Sequence, residues 1–106
     1  MTYMDAARAN PTFKDLPVDT LELAFVNRGV ESTDEYTSEG LKNLELVSAD
    51  IYLEIAAQPN IKEGGLSLQF NPSLLLGRAR NIYLKYEDPR IDDAGGRKIN
   101  PKIRKA

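Results

Sequence analysis

Apolar positions along this chain fall into three stretches with helical spacing and one that alternates. In the longest, residues 38–58, Leu41, Leu44, Val47, Ile51, Tyr52 and Ile55 share one arc at about 100° per residue, and Leu46, Ala49, Leu53, Ala56 and Ala57 share a second. Asn43, Asp50 and Glu54 form the polar seam between them. A helix that is apolar around most of its circumference has to be covered on more than one side. The pattern therefore predicts a central helix around which the other elements pack.

Upstream, residues 2–10 predict a short helix favoured by Ala6, Ala7 and Ala9 and ended at Asn10-Pro11. Its apolar content is thin, so it reads as a loosely docked helix or as an arm that orders against something else. A second helix is expected over 17–28, with Asp15 nearby as a cap, Pro17 in the first turn and Gly29 closing the C-terminus in the left-handed conformation. Val18, Leu21 and Phe25 lie on one of its faces, Leu23 and Val26 on another. The polar connection 30–37 offers Ser32 or Thr37/Ser38 as caps of the central helix, with Glu35 completing a capping box if Ser32 is used.

Pro59-Asn60 stops the central helix. Ile61, Leu66, Leu68 and Phe70 then alternate with polar residues around Gly64-Gly65, predicting a small hairpin or one extended strand after a glycine turn. Asn71-Pro72 supplies an N-cap and a first-turn proline for a helix over 72–87. Its core arc is Leu75, Leu76, Ala79, Ile82, Tyr83 and Tyr86. Arg78, Arg80, Asn81 and Lys85 oppose it, together with Leu74 and Leu84, whose place on the polar side points to a subunit contact. Asp88-Pro89 ends that helix. The expected architecture is mainly α: a small helical bundle around a long central helix, with one short β-hairpin and an extended C-terminal tail. Residues 1–88 form the domain and 89–106 an extended or disordered basic tail.

Composition refines this picture in two ways. A chain of 106 residues forms one small domain, which buries roughly 60 to 70% of its unfolded surface, so assembly would add materially to its stability. The formal charge of −2 conceals an asymmetry, because Arg97, Lys98, Lys102, Arg104 and Lys105 all follow Gly96 and the preceding body is acidic. Such a terminus is more often simply solvated; the functional alternative is contact with an acidic partner surface, or with DNA without sequence preference. The cations of the 72–87 helix are too few for sequence-specific DNA recognition, which rests on many neutralised phosphates. No apolar run approaches the ~18 residues that span a bilayer, and synthesis inside the cell is expected.

With neither histidine nor cysteine, Ser-His-Asp and Cys-His nucleophile systems cannot be built, nor can the usual zinc sites. Gly64-Gly65 lacks the lysine and spacing of a phosphate-binding loop. Asp50 and Glu54 read as a solvated polar seam rather than a cation site. Asp88, Asp92 and Asp93 read as a surface turn, lacking the alternating ligands and closing glutamate of a calcium loop. Neither enzymatic activity nor a cofactor is expected.

The order of parts carries a resemblance. An acidic helix, a long central helix, the stretch Asn-Ile-Lys-Glu-Gly-Gly-Leu-Ser-Leu-Gln-Phe and a helix ending Asn-Ile-Tyr-Leu-Lys-Tyr resemble small proteins encoded in phages and prophages of Bacteroides-type bacteria. More loosely, they resemble the head-tail connector, or adaptor, proteins of tailed phages. Residues 41–88 carry most of the similarity. The resemblance implies a homo-oligomeric ring in the neck of the virion, between portal and tail, whose partners are portal, tail or neck proteins. Its protein contacts would fall on Leu74, Leu84, Arg78, Arg80 and Lys85 and on Ile61, Leu66, Leu68 and Phe70, with Arg97, Lys98, Lys102, Arg104 and Lys105 reaching portal or DNA. The alternative is a small intracellular protein–protein interaction module that uses the hairpin edge or the Leu74/Leu84 face.

Overall fold

The computed structural model describes residues 1–57 and 71–95. Among the described residues there are four α-helices, α1 (Tyr3–Arg8), α2 (Val18–Asn27), α3 (Leu41–Ala57) and α4 (Pro72–Lys85), and two 3-10 turns, Ser38–Gly40 before α3 and Pro89–Asp92 after α4. The first turn runs directly into α3, which is the central helix and touches α1, α2 and α4, packing most extensively on α4. Among the described residues there is no strand, only an isolated antiparallel bridge between Thr2 and Glu35. The expected hairpin, with Ile61, Leu66, Leu68 and Phe70, lies outside the described residues, as do the five tail cations Arg97, Lys98, Lys102, Arg104 and Lys105.

The first helix is docked, and a capping box forms it. Thr2 Oγ1 accepts from the Asp5 amide and the Asp5 carboxylate accepts from the Thr2 amide, which satisfies two N-terminal donors reciprocally. Backbone bonds from Tyr3 to Asp34, Met4 to Ser32 and Tyr36 to Met1 tie this helix to the 30–37 loop. The Tyr3 ring meets Phe25 and Tyr36 edge-on and lies across Gly40, where a Cβ would fall 2.0 Å from the Tyr3 hydroxyl oxygen. Only glycine fits there. The capping box expected at Ser32 and Glu35 does not form. Ser32 is buried and donates to Glu22 instead, and the extended residue before the 3-10 turn, Thr37, makes no side-chain cap bond. Asp15 is likewise unused as a cap, because Pro17 holds that position in α2.

The core joins Leu21 and Phe25 of α2, Leu46, Val47, Ile51 and Ile55 of α3, and Leu75, Ala79 and Tyr83 of α4. Both apolar arcs of α3 contribute, as its two-sided pattern requires, although Leu41 is exposed and Leu44 half-buried. The loop before α2 adds Phe13 and Leu16. Asn10 holds this loop by accepting from the Thr12 amide and donating to the Tyr52 hydroxyl at 2.9 Å. Asn71 caps α4 as expected, accepting from the Leu74 amide.

The end of the domain moves. Helix α4 stops at Lys85, Glu87 takes a left-handed φ of 54°, and Asp88 caps the Pro89–Asp92 turn by accepting from the Arg90 amide. Ile91 and Ala94 are buried in the core. The tail expected from residue 89 therefore does not begin there, since residues 89–95 pack as part of the domain. Proline at the first position of the turn, the buried Ile91 and Ala94, and the Arg90–Asp50 ion pair fold the chain back.

Candidate functional site

Asp50 is the largest departure from the sequence pattern. It lies on the polar seam of α3, yet it is only 7% exposed, while Asn43 and Glu54 on the same seam are exposed. A buried carboxylate has to be paired and hydrogen-bonded, and three elements supply the partners. Arg28, the C-cap of α2, grips Asp50 as a fork, with Nε 2.6 Å from Oδ2 and Nη2 2.8 Å from Oδ1. The Tyr83 hydroxyl of α4 donates to Oδ1 at 2.6 Å, and Arg90 Nη1 of the C-terminal turn lies 3.1 Å from the same oxygen. Arg28 also donates to Asp88 at 2.7 Å. Two aspartates and two arginines thus alternate, Asp88–Arg28–Asp50–Arg90, joining the end of α2 and the turn after α4 to α3, with Tyr83 of α4 added at Asp50. Charge-assisted forked bonds of this kind fix geometry as well as energy.

The electrostatics follow from these contacts. The Asp50 hydrogen bond raises the Arg28 pKa, against burial, with Asp88 adding to it. Burial, then the bond to Asp50, pushes the Tyr83 hydroxyl above its ordinary value, so it stays a donor. Burial would raise the Asp88 carboxyl, but the Arg28 hydrogen bond, the Arg90 amide and both guanidinium charges outweigh it and hold the carboxyl below the ordinary range. Because its folded pKa is depressed, the stabilisation from Asp88 is complete above the unfolded value of about 3.9 and is lost as pH falls through the folded value. The melting temperature should therefore hold from neutrality to about pH 5 and fall below about pH 4. Asp88→Asn should start lower and converge on the wild type in acid. Parallel melting curves for the two proteins down to about pH 3 would remove Asp88 from this role.

Asp50 Oδ1 faces Arg28, Tyr83 and Arg90, and Oδ2 accepts from Arg28. These contacts make Asp50 the joint between the helices. A cleft of about 210 Å³ opens beside it, lined by Thr20, Leu23 and Asn27 of α2, Ile51 and Asp50 of α3, and Arg90. Among the described residues no group of three or more acidic side chains is placed to hold a metal ion, and no helix is long and apolar enough to cross a membrane.

The outer face of α4 is the second candidate. Leu74 and Leu84 are 52% and 60% exposed. The three cations expected to serve contacts are each engaged within the chain. Arg78 lies over the Tyr52 ring at 5.7 Å, Arg80 donates to the Ala94 carbonyl, and Lys85 donates to Glu45 at 2.9 Å. Tyr86 donates to the same Glu45 oxygen, and this bond, then, against burial, that of Lys85, holds the Glu45 carboxyl below its ordinary value. Arg78 and Lys85 nonetheless remain exposed. The sequence pattern did not single out a matching exposure on α2, where Leu23 and Val26 are 60% and 59% exposed. The placement of those two residues on a face away from Leu21 and Phe25 was the available signal.

The fold and its charge network define a small all-helical domain clamped through one buried carboxylate. The chain belongs to the DUF6706 family, a family of unknown function, which matches residues 1–106. No curated protein and no solved structure matches it.

Proposed function

We propose that this protein is a structural subunit without catalytic activity, a neck or head-tail connector protein of a phage particle that assembles as a ring between portal and tail. The observation that carries the reading is the exposure of large apolar side chains on two helices, Leu23 and Val26 on α2 and Leu74 and Leu84 on α4, in a domain whose buried carboxylate, Asp50, is engaged by Arg28, Tyr83 and Arg90. A subunit of this kind works through surfaces that become buried on assembly, and exposed apolar patches mark such surfaces. The resemblance of residues 41–88 to connector proteins supplies the setting, a virion neck. The basic segment beyond Gly96 supplies contact with an acidic portal surface, or with DNA without sequence preference.

Leu84→Glu tests the reading. The side chain is exposed, so the helical circular-dichroism signal and the melting temperature should stay close to wild type. Incorporation into particles or complexes should fall, because burying an unpaired carboxylate at an interface is costly. Normal incorporation of a folded Leu84→Glu chain would make the α4 face plain surface.

A further inference from the structure

The two exposed apolar faces differ in charge, and one of them contains an unexplained glycine. On α2, Leu23 and Val26 share their face with the exposed carboxylate of Asp19. On α4, Leu74 and Leu84 share theirs with the exposed Arg78 and Lys85. Between the two leucines, three residues after Leu74, sits Gly77. Glycine inside a helix is unfavourable relative to alanine, and nothing among the described residues requires it. A Cβ on Gly77 would meet nothing nearer than the Arg80 guanidinium at 3.8 Å, an ordinary van der Waals contact, and the backbone there is plainly helical. An alanine fits against the described residues, so none of them accounts for the missing methyl. A helix that leaves its backbone bare between two leucines leaves room for close approach by a side chain of a partner.

We propose that the partner on this face is a second copy of the same chain, docked head to tail: the acidic-rimmed face of α2 in one copy, led by Leu23, enters the gap at Gly77 between Leu74 and Leu84 in the next. Asp19 of the first copy then faces Arg78 of the second. This rests on the reading of the protein as an assembling subunit and names the faces it uses. Because the two faces are different surfaces, the contact is heterologous, and repetition closes a ring or extends a filament. An α4-to-α4 contact would instead place Arg78 and Lys85 of both copies together, and opposed like charges disfavour it.

The test is charge exchange on the full chain, followed by sedimentation velocity across a concentration series. Asp19→Arg and Arg78→Glu should each fold and each assemble roughly tenfold or more weaker than wild type. An equimolar mixture should recover assembly, because each reversed face then meets an oppositely charged one. Gly77→Ala, which needs no change of charge, should melt at or above the wild-type temperature and yet assemble roughly tenfold or more weaker. If wild type assembles but the mixture stays dissociated and Gly77→Ala assembles normally, the pairing of α2 with α4 is wrong while the subunit reading stands. If Asp19→Arg alone assembles as wild type does, the α4 face is meeting itself or another protein, and the pairing is again wrong. A wild type that stays monomeric at every concentration overturns self-assembly itself.

Discussion

Asp50→Ala is expected to lower the unfolding free energy by about 3 to 5 kcal/mol, the usual cost of removing one partner from a buried ion pair. The change takes away the acceptor of Arg28, Tyr83 and Arg90 together. Arg28 keeps Asp88 and Arg90 keeps Asp93, but the carboxylate that both guanidinium groups share is gone. The Tyr83 hydroxyl, on a side chain with no exposure, loses its partner. Domains of this size are stable by about 5 to 15 kcal/mol, so the variant should be partly unfolded at 37 °C. Urea denaturation measures the loss directly. A change under about 1 kcal/mol would show that water replaces the carboxylate freely and that the network is superficial.

Phe13→Ala should cost a similar amount, about 3 to 5 kcal/mol, although the residue belongs to no helix. Its side chain is fully buried, with the ring centroid 5.0 Å from that of Tyr52. The loop carrying it has few other anchors: Leu16 in the core and the Asn10 side chain on Thr12 and Tyr52. Removing the ring opens a cavity between this loop and α3 that the neighbouring helices cannot collapse to fill. Val18→Ala, at an exposed position a few residues on, should by contrast stay within about 0.5 kcal/mol of wild type. Equal effects for the two substitutions in one denaturation series would contradict the placement of the loop.

What the sequence made legible was set by periodicity and by local capping chemistry. The two arcs of α3 announced a helix covered on two sides. Asn71-Pro72 announced the start of α4, and Gly29, at φ 70°, the end of α2. Leu74 and Leu84 fell on the polar side of their helix and are exposed. Features set by distant partners were hidden. Asp50 looks like seam because a helical wheel records only which neighbours share a face, and Arg28, Tyr83 and Arg90 come from elsewhere in the chain. Ser32 was available as a cap, but the docking of α1 draws the 30–37 loop inward and turns its hydroxyl to Glu22. Pro89 and Asp88 carry turn and tail signals alike, and the burial of Ile91 decides between them. Phe13 was a lone aromatic in a polar stretch, a pattern that carries no period to read.

The proposal that this chain is a structural part of a particle is tested most directly by electron microscopy of particles made without it. If the protein is a connector subunit, ablating its gene in the producing phage should give heads and tails that accumulate separately, and wild-type protein supplied in trans should restore joined particles. The purified wild-type virion should also contain the protein in several copies. Joined, infectious particles from the ablated phage, together with its absence from purified virions, would contradict the claim.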